Sequence, residues 1–189
     1  MRKLVYYIAT SINGYIADPT GDTSFFSVHQ PILDDLFSRY PETCPQHLRE
    51  PLGVTASARR FDTVILGRNT HEPALQAGLT SAYPHLRQLV VTHGDLPEDA
   101  TVEVLSGDLL AEVARLKTER GHDIWLCGGG DVAGQLLPEI DEIQLKVNPI
   151  TLGDGIPLFR TTSPRAWDLK NTEPLACGVV LMTYTPASQ

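Results

Sequence analysis

Two runs of apolar, strand-forming residues lead directly into glycine turns, and this feature most constrains the fold. Residues 64–66 precede Gly67 and Thr70, and residues 124–127 precede three consecutive glycines at 128–130. At the carboxyl ends of parallel strands, glycines let the backbone approach a ligand, and free N–H groups at a helix start favour an anion. The sequence therefore predicts a phosphate-bearing ligand where these two strands end.

The residue types at both junctions narrow the kind of site. Arg68 supplies a permanent cation and Thr70 a hydroxyl donor, both suited to phosphate. A lone Gly67 is typical of an ordinary turn, whereas three glycines in a row carry an entropy cost that close approach to a ligand would explain. Neither junction has the G-x-G-x-x-G or GK[ST] pattern, which excludes the two commonest nucleotide-binding motifs.

The rest of the chain alternates strand and helix patterns. Strand patterns cover 4–10, 63–66, 89–92, 102–105, 123–127 and 142–147, and helical spacing covers 31–40, 109–116 and 132–137. Residues 167–185 give two strands with no helix between them, and the proline-rich 41–51 is predicted to be a long loop. We therefore expect one α/β domain over 1–189, with a mostly parallel mixed sheet flanked by helices and an antiparallel hairpin at its C-terminal edge.

Charge and composition exclude several classes of protein. With 15 Lys and Arg against 23 Asp and Glu, the net charge of −8 excludes binding along a nucleic-acid backbone. Three cysteines and six histidines show neither disulfide, zinc nor HExxH spacing, so no metal site is expected. The sequence has no uninterrupted apolar run of membrane-spanning length and no signal peptide. We therefore expect a cytoplasmic protein that acts on a small molecule, with no membrane partner.

Five motifs occur in order along the chain. They are the opening strand and loop, a Gly-Arg-x-Thr-x-Glu helix start, a strand ending in Thr-His, the glycine triplet with Asp-Val, and a late glycine turn ending in Leu-Phe. They occupy residues 7–17, 67–72, 92–93, 128–132 and 153–159. Together they resemble the dihydrofolate reductase-like superfamily, and they are similar in particular to the RibD C-terminal domain of riboflavin biosynthesis and its stand-alone relatives.

The resemblance implies NADPH as cofactor and hydride transfer to a pyrimidine, ribosylamine or pterin-like small molecule. It also implies pairing into a homodimer. The nicotinamide would lie near the first strand and loop, the phosphates at both glycine junctions, and the 2′-phosphate near His93. The cofactor-binding residues so implied are Ala9, Asn13, Ile16, Gly67, Arg68, Asn69, Thr70, Thr92, His93, Gly128, Gly129, Gly130, Asp131 and Val132.

On the substrate side, the sequence offers a pocket wall and two candidate proton donors. Ser11, Phe25 and Phe26 are expected to line the substrate pocket, and Tyr15 and Asp35 are the candidate donors. Folate reductases keep a carboxylate on the first helix, but Asp35 also fits a solvated helix face.

Three departures from the family pattern leave the reaction open. Asn13 stands where the family usually has Asp, Cys127 where riboflavin reductases have Glu, and Lys146 where folate reductases keep a small hydroxyl residue. Authentic dihydrofolate reduction and a non-catalytic NADP-binding module therefore both stay open beside a RibD-type reductase.

Overall fold

A computed structural model describes residues 1–161 and 163–188. Its main feature is an eight-stranded sheet, accompanied by a separate two-stranded sheet and five α-helices. The strands are β1 (Leu4–Thr10), β2 (Tyr15–Ala17), β3 (Phe61–Gly67), β4 (Arg87–Val91), β5 (Val102–Leu105), β6 (Asp123–Gly128), β7 (Glu142–Val147), β8 (Ile156–Pro157), β9 (Trp167–Pro174) and β10 (Val180–Pro186). The helices are α1 (Gln30–Arg39), α2 (Gln46–Arg49), α3 (Arg68–Gln76), α4 (Leu109–Thr118) and α5 (Gly130–Gln135).

The large sheet has the strand order β5-β4-β3-β6-β1-β7-β10-β9. The first six strands in this order are parallel to one another, whereas β10 runs antiparallel to both β7 and β9. The prediction of a mostly parallel mixed sheet with an antiparallel hairpin at its C-terminal edge is therefore confirmed. The antiparallel pair of β2 and β8 forms the small sheet.

Side-chain alternation along β1 sends residues to both faces of the sheet, and each face has its own core. Leu4 and Tyr6 join the cluster formed with α4 and α5, whereas Val5 and Tyr7 join the cluster with Phe61 and Trp125. Leu36 of α1 packs against the second cluster, so helices flank both faces. Strands buried on both faces explain the nearly continuous apolar runs of the sequence.

The predicted 41–51 loop is held against the sheet by a buried carboxylate. Glu42 is 0% exposed, and its oxygens accept backbone N–H bonds from Arg59 at 3.1 Å and from Arg60 and Phe61 at 2.8 Å. His85 Nε2 lies 2.9 Å from the backbone carbonyl oxygen of Glu42. The loop also contains the short helix α2, which the proline spacing did not predict.

We expect Glu42→Ala to lower the free energy of unfolding by about 3 kcal/mol, because three backbone donors at the start of β3 lose their charged acceptor. Urea unfolding monitored by circular dichroism measures this loss. Glu50→Ala is the matched control, since the side chain at position 50 is exposed, and it should change stability by less than about 0.5 kcal/mol. Equal stability of the two variants would contradict the anchoring role of Glu42.

Candidate functional site

The two glycine junctions meet at one edge of the sheet. β3 and β6 are neighbouring parallel strands, and their register places Leu66 opposite Gly128. The turns that follow both strands therefore open into one cleft of about 600 Å³. Twelve of the predicted cofactor residues line this cleft: Ile16, Gly67, Arg68, Asn69, Thr70, Thr92, His93, Gly128, Gly129, Gly130, Asp131 and Val132.

The β3 side of the cleft carries groups that favour an anion. α3 begins at Arg68 directly after Gly67, and no side chain caps its first turn, so backbone N–H groups there lack a capping partner. The Arg68 guanidinium is oriented by two hydrogen bonds. Its Nε donates to Glu72 Oε2 at 3.1 Å, and its Nη1 donates to the carbonyl oxygen of Asp95 at 2.9 Å. Arg68 is thus a partly exposed, pre-oriented cation at the cleft wall.

The three glycines of the β6 turn serve different purposes. A Cβ at position 130 would lie 2.2 Å from the carbonyl oxygen of Pro157, so packing within the protein requires glycine there. Gly128 has a φ of +133°, which side-chain-bearing residues rarely adopt. A Cβ at 129 would meet only Thr70 Oγ1 at 3.6 Å and Ile16 at 3.8 Å, ordinary contacts. At Gly129, therefore, internal packing does not explain the glycine, and its open side faces the cleft.

Thr92 and His93 follow β4 in the cleft lining, and Asp131 lies in the first turn of α5. Thr92 Oγ1 accepts the Gly94 N–H at 3.0 Å, and Asp131 lies 3.5 Å from Arg160 in an exposed pair. Thr92 and His93 also line an adjoining hollow of about 810 Å³ beside the 94–106 segment. The cleft therefore continues along the sheet edge past β4 toward β5, which gives room for an elongated ligand.

A second pocket, of about 390 Å³, adjoins the cleft on the α1 face of the sheet. The two cavities share Ile8, Ile16, Thr23 and Cys127 as a common wall. The pocket's other lining is largely apolar and includes Phe26, Ile32, Leu36, Phe37, Tyr83 and Trp125. A compound in this pocket would therefore lie beside the inner end of a ligand in the cleft.

The predicted substrate-side residues divide between this pocket and the neighbouring turn. Phe26 lines the pocket, and Phe25 packs edge-on against it with ring centroids 4.8 Å apart. Ala9, predicted at the cofactor, lines the pocket instead of the cleft. Ser11 is buried in the turn, where its Oγ donates to Asn13 Oδ1 at 2.9 Å and accepts the Tyr15 N–H at 3.0 Å.

Like Ser11 and Phe25, three further candidates lie outside both cavities. The Asn13 amide is bonded to the backbone of Leu152, donating at 2.7 Å and accepting at 3.1 Å, so it joins two loops. The Tyr15 ring packs against Gly155, where an added Cβ would lie 3.1 Å from the ring. Asp35 is exposed and accepts the Ala176 N–H at 3.3 Å. The structure therefore does not bring either candidate proton donor, Tyr15 or Asp35, to the pocket.

Lys146 also lines the pocket, although the sequence did not predict a role for it. Its Nζ lies 3.8 Å from the centroid of the Tyr7 ring. Burial lowers the pKa of Lys146 to about 8, while the neighbouring Cys127 opposes this shift. Burial also raises the pKa of the Cys127 thiol to about 12, against the pull of Lys146, so the thiol stays protonated at neutral pH. Lys146 occupies a polar position of the alternating pattern of residues 142–147, so the sequence pattern gave no separate signal for its place in a pocket.

Residues 1–161 and 163–188 contain no group of three or more His, Cys, Asp or Glu side chains arranged to hold a metal ion. None of the helices in this part of the chain is both long and apolar enough to cross a bilayer.

Comparison with known proteins identifies relatives over almost the whole length. Residues 2–181 match the model of the RibD C-terminal domain. Two Bacillus subtilis (strain 168) proteins, both called uncharacterized, are similar. YwjB is 32% identical over 95% of this chain and 96% of its own, and YyaP is 25% identical over 97% and 94%.

Solved structures with the same fold include proteins of two activities. A Shewanella sp. PV-4 protein assigned to riboflavin biosynthesis has a TM-score of 0.69, 26% identity and full coverage of both chains. Dihydrofolate reductase from Enterococcus faecalis, complexed with NADP(H), has a TM-score of 0.66 and 17% identity, with 98% and 97% coverage. A Thermotoga maritima diaminohydroxyphosphoribosylaminopyrimidine deaminase/5-amino-6-(5-phosphoribosylamino)uracil reductase has a TM-score of 0.63 and 15% identity, and the match covers 98% of this chain but 57% of that one. The predicted dihydrofolate reductase-like fold is confirmed.

Proposed function

Because the chain belongs to the RibD C-terminal domain family, we propose that it is an NADPH-dependent reductase acting on a pyrimidine, ribosylamine or pterin-like small molecule. The observation that carries the proposal is the wall shared by the elongated cleft and the apolar pocket. A cofactor in the cleft and a substrate in the pocket would meet at Ile8, Ile16, Thr23 and Cys127. Hydride transfer requires this kind of close, oriented contact.

The residues of the cleft fit a dinucleotide phosphate. Arg68 and the start of α3 offer a cation and backbone N–H groups, and Gly129 leaves room for a pyrophosphate to approach the backbone. His93 would lie near the 2′-phosphate. When bound, NADPH would supply the hydride. The protein's part would be to hold the phosphates, orient the nicotinamide at the shared wall and keep water from the pocket.

The composition of the pocket favours a RibD-type substrate over dihydrofolate. In folate reductases a carboxylate on the first helix faces the pterin, but here Asp35 is exposed and bonded to the Ala176 backbone. The residues described around the pocket include no Asp or Glu. Authentic dihydrofolate reduction is therefore the weaker of the two enzymatic proposals. A cytoplasmic location and a homodimer stay part of the overall proposal.

We expect the purified chain to oxidise NADPH when 5-amino-6-(5-phosphoribosylamino)uracil is supplied, and to do so much more slowly with dihydrofolate. Absorbance of the reduced nicotinamide measures both rates, and isothermal titration measures the binding of NADPH and NADH. Faster turnover of dihydrofolate would favour the folate alternative. Tight NADPH binding without turnover of any pyrimidine or pterin would favour a non-catalytic module and contradict the reductase proposal.

A further inference from the structure

We propose that Lys146 is the proton donor of this reductase, placing its Nζ against the heteroatom of the substrate bond that receives the hydride. This role rests on the proposed reductase function, because it needs a substrate in the pocket. It replaces Tyr15 and Asp35, which the structure places outside that pocket.

The strand register brings Lys146 to the inner wall of the pocket. On β7 it lies opposite Ala9 of β1 and opposite Leu181 of β10. Ala9 also lines the pocket, and the adjacent Ile8 belongs to the wall shared with the cleft. Lys146 therefore lies on a central strand of the sheet, next to the strand that carries Ile8 and Ala9.

The ammonium has no acidic partner among the residues that the structure describes. The ion pairs found there include Lys3, Lys117 and Lys170 but not Lys146, and no hydrogen bond from its Nζ is found. Its Nζ packs against the face of the Tyr7 ring, 3.8 Å from the ring centroid. A largely buried cation without a carboxylate is costly, and a substrate atom that accepts its proton would offset that cost.

Among the described groups that face Lys146, no other is able to donate a proton near neutral pH. Tyr7 and Tyr83 have pKa values raised far above neutrality by burial, and burial also raises the pKa of Cys127. On its own strand, Glu142 is engaged by Arg60 at 3.0 Å and by Lys3 at 3.5 Å. α1 contributes the apolar side chains of Ile32, Leu36 and Phe37 to the pocket lining, and Leu181 of β10 lies opposite Lys146. The Arg39 guanidinium of α1 is paired with Glu173 at 2.6 Å.

Other polar atoms around the pocket also lack partners. The Ser27 hydroxyl is buried and has no hydrogen-bond partner among the described residues, and the same is true of the hydroxyl of Tyr7, which is 1% exposed. Buried polar groups are rarely left unbonded in a folded protein. Together with Lys146, they indicate that the pocket is built for a compound that carries polar atoms on an apolar, planar body.

In the proposed step, Lys146 protonates the substrate bond that receives the hydride. The hydride adds to the carbon of a C=N or C=O bond of the substrate, and the π electron pair moves to the nitrogen or oxygen. That atom takes a proton from the Nζ of Lys146, which breaks one N–H bond and leaves a neutral amine. Water reprotonates the amine after the reduced product and the oxidised cofactor leave. The substrate class is thus an imine or carbonyl compound.

The test compares Lys146→Met and Lys146→Arg with Lys170→Met, a control at a half-exposed lysine on β9. We expect Lys146→Met to lower kcat by roughly 10² or more, with NADPH affinity unchanged, and the control to keep full activity. Lys146→Arg keeps the charge but does not release its proton, so it should be nearly as slow. Full activity of either Lys146 variant would overturn the proposal.

The pH dependence of kcat distinguishes a proton donor from a residue that has only a structural role. For the native chain kcat should fall above about pH 8, because burial sets the pKa of Lys146 near 8 and only the protonated form donates. Lys146→Met should lose this fall and be slow at every pH. A native profile that stays flat up to pH 10 would contradict the assignment.

A measurement without turnover separates this proposal from the reductase proposal. In a chain labelled with ¹³C-lysine, the Cε resonance that disappears in Lys146→Met should titrate near pH 8. Titration at the ordinary lysine value would overturn the role of Lys146 even if the chain is an active reductase. If the native chain reduces no imine or carbonyl substrate at all, the proposed function and the proton-donor role both fail.

Discussion

Gly134→Ala is expected to lower the free energy of unfolding by roughly 3 kcal/mol and to weaken NADPH binding, because the added methyl group has no space. A Cβ at this position would lie 1.9 Å from the carbonyl oxygen of Arg160 and 2.7 Å from its carbonyl carbon. Both are backbone atoms, so a side-chain rotation cannot relieve the overlap. α5 and the 156–160 segment would have to separate.

Hydrogen bonds of the 156–160 segment would carry such a separation to the cleft in which we propose that NADPH binds. The Arg160 N–H donates to the Gly130 carbonyl at 3.0 Å, and a Cβ at Gly130 would also meet Pro157. The Leu158 N–H donates to the carbonyl of Gly14 at 2.9 Å. Glycines four residues apart on α5 thus let the 156–160 segment approach closely, and this segment holds the loop before β2 beside the cleft.

Thermal and urea unfolding measure the stability of Gly134→Ala, and isothermal titration measures its NADPH affinity. Gly153→Ala is the control, because a Cβ at that position meets nothing within 4 Å and its φ is not left-handed. We expect the control to unfold within about 0.5 kcal/mol of the native chain. If the two alanine variants behave alike, the close packing of α5 against residues 156–160 is not required for stability.

Arg68→Ala is expected to reduce NADPH affinity by about 10- to 100-fold, as loss of a charge-assisted phosphate contact would. The guanidinium is already oriented at the cleft by Glu72 and the Asp95 carbonyl, so little side-chain entropy is lost when a phosphate binds. Isothermal titration with NADPH and NADH measures the effect. Equal losses for both cofactors would indicate a pyrophosphate contact, and a loss restricted to NADPH would indicate the 2′-phosphate.

The control for Arg68→Ala is Arg115→Ala on the exposed surface of α4. Arg115 pairs with Glu112 and Glu119 in much the same way that Arg68 pairs with Glu72, but it lies outside the cleft. Its removal should leave cofactor affinity unchanged. Glu72→Gln should tighten NADPH binding a few-fold, since it removes a negative charge beside the phosphate site. Unchanged affinity in Arg68→Ala would contradict the phosphate role.

Much of this architecture could be read from local patterns. Apolar runs at 4–10 and 123–127 predict strands buried on both faces, and the structure has β1 and β6 there. Residues 142–147 alternate, and β7 has those bounds. The predicted ends of the helices were less accurate. The pattern predicts a helix over 132–137, whereas α5 covers 130–135, because Pro138 belongs to a separate tight turn.

The candidate site was predictable only where backbone geometry follows from residue type. Gly67 and the 128–130 turn lie in one cleft because their strands are parallel neighbours. The roles of Tyr15, Asp35 and Asn13 depended on side-chain direction, which spacing alone does not give. Each of these residues is instead engaged by the loops around it.

The sequence by itself determined the strand and helix pattern and the family, because these depend on local propensity and residue chemistry. On the same grounds it predicts that the two glycine turns bind phosphate. Tertiary structure alone decided which side chains share a pocket. It gave Gly130 a packing role against Pro157 and placed Lys146 across from Ala9 with no acidic partner in the described chain. The physical reason is that contacts between strands far apart in sequence set burial, and burial sets which polar groups are left for a ligand.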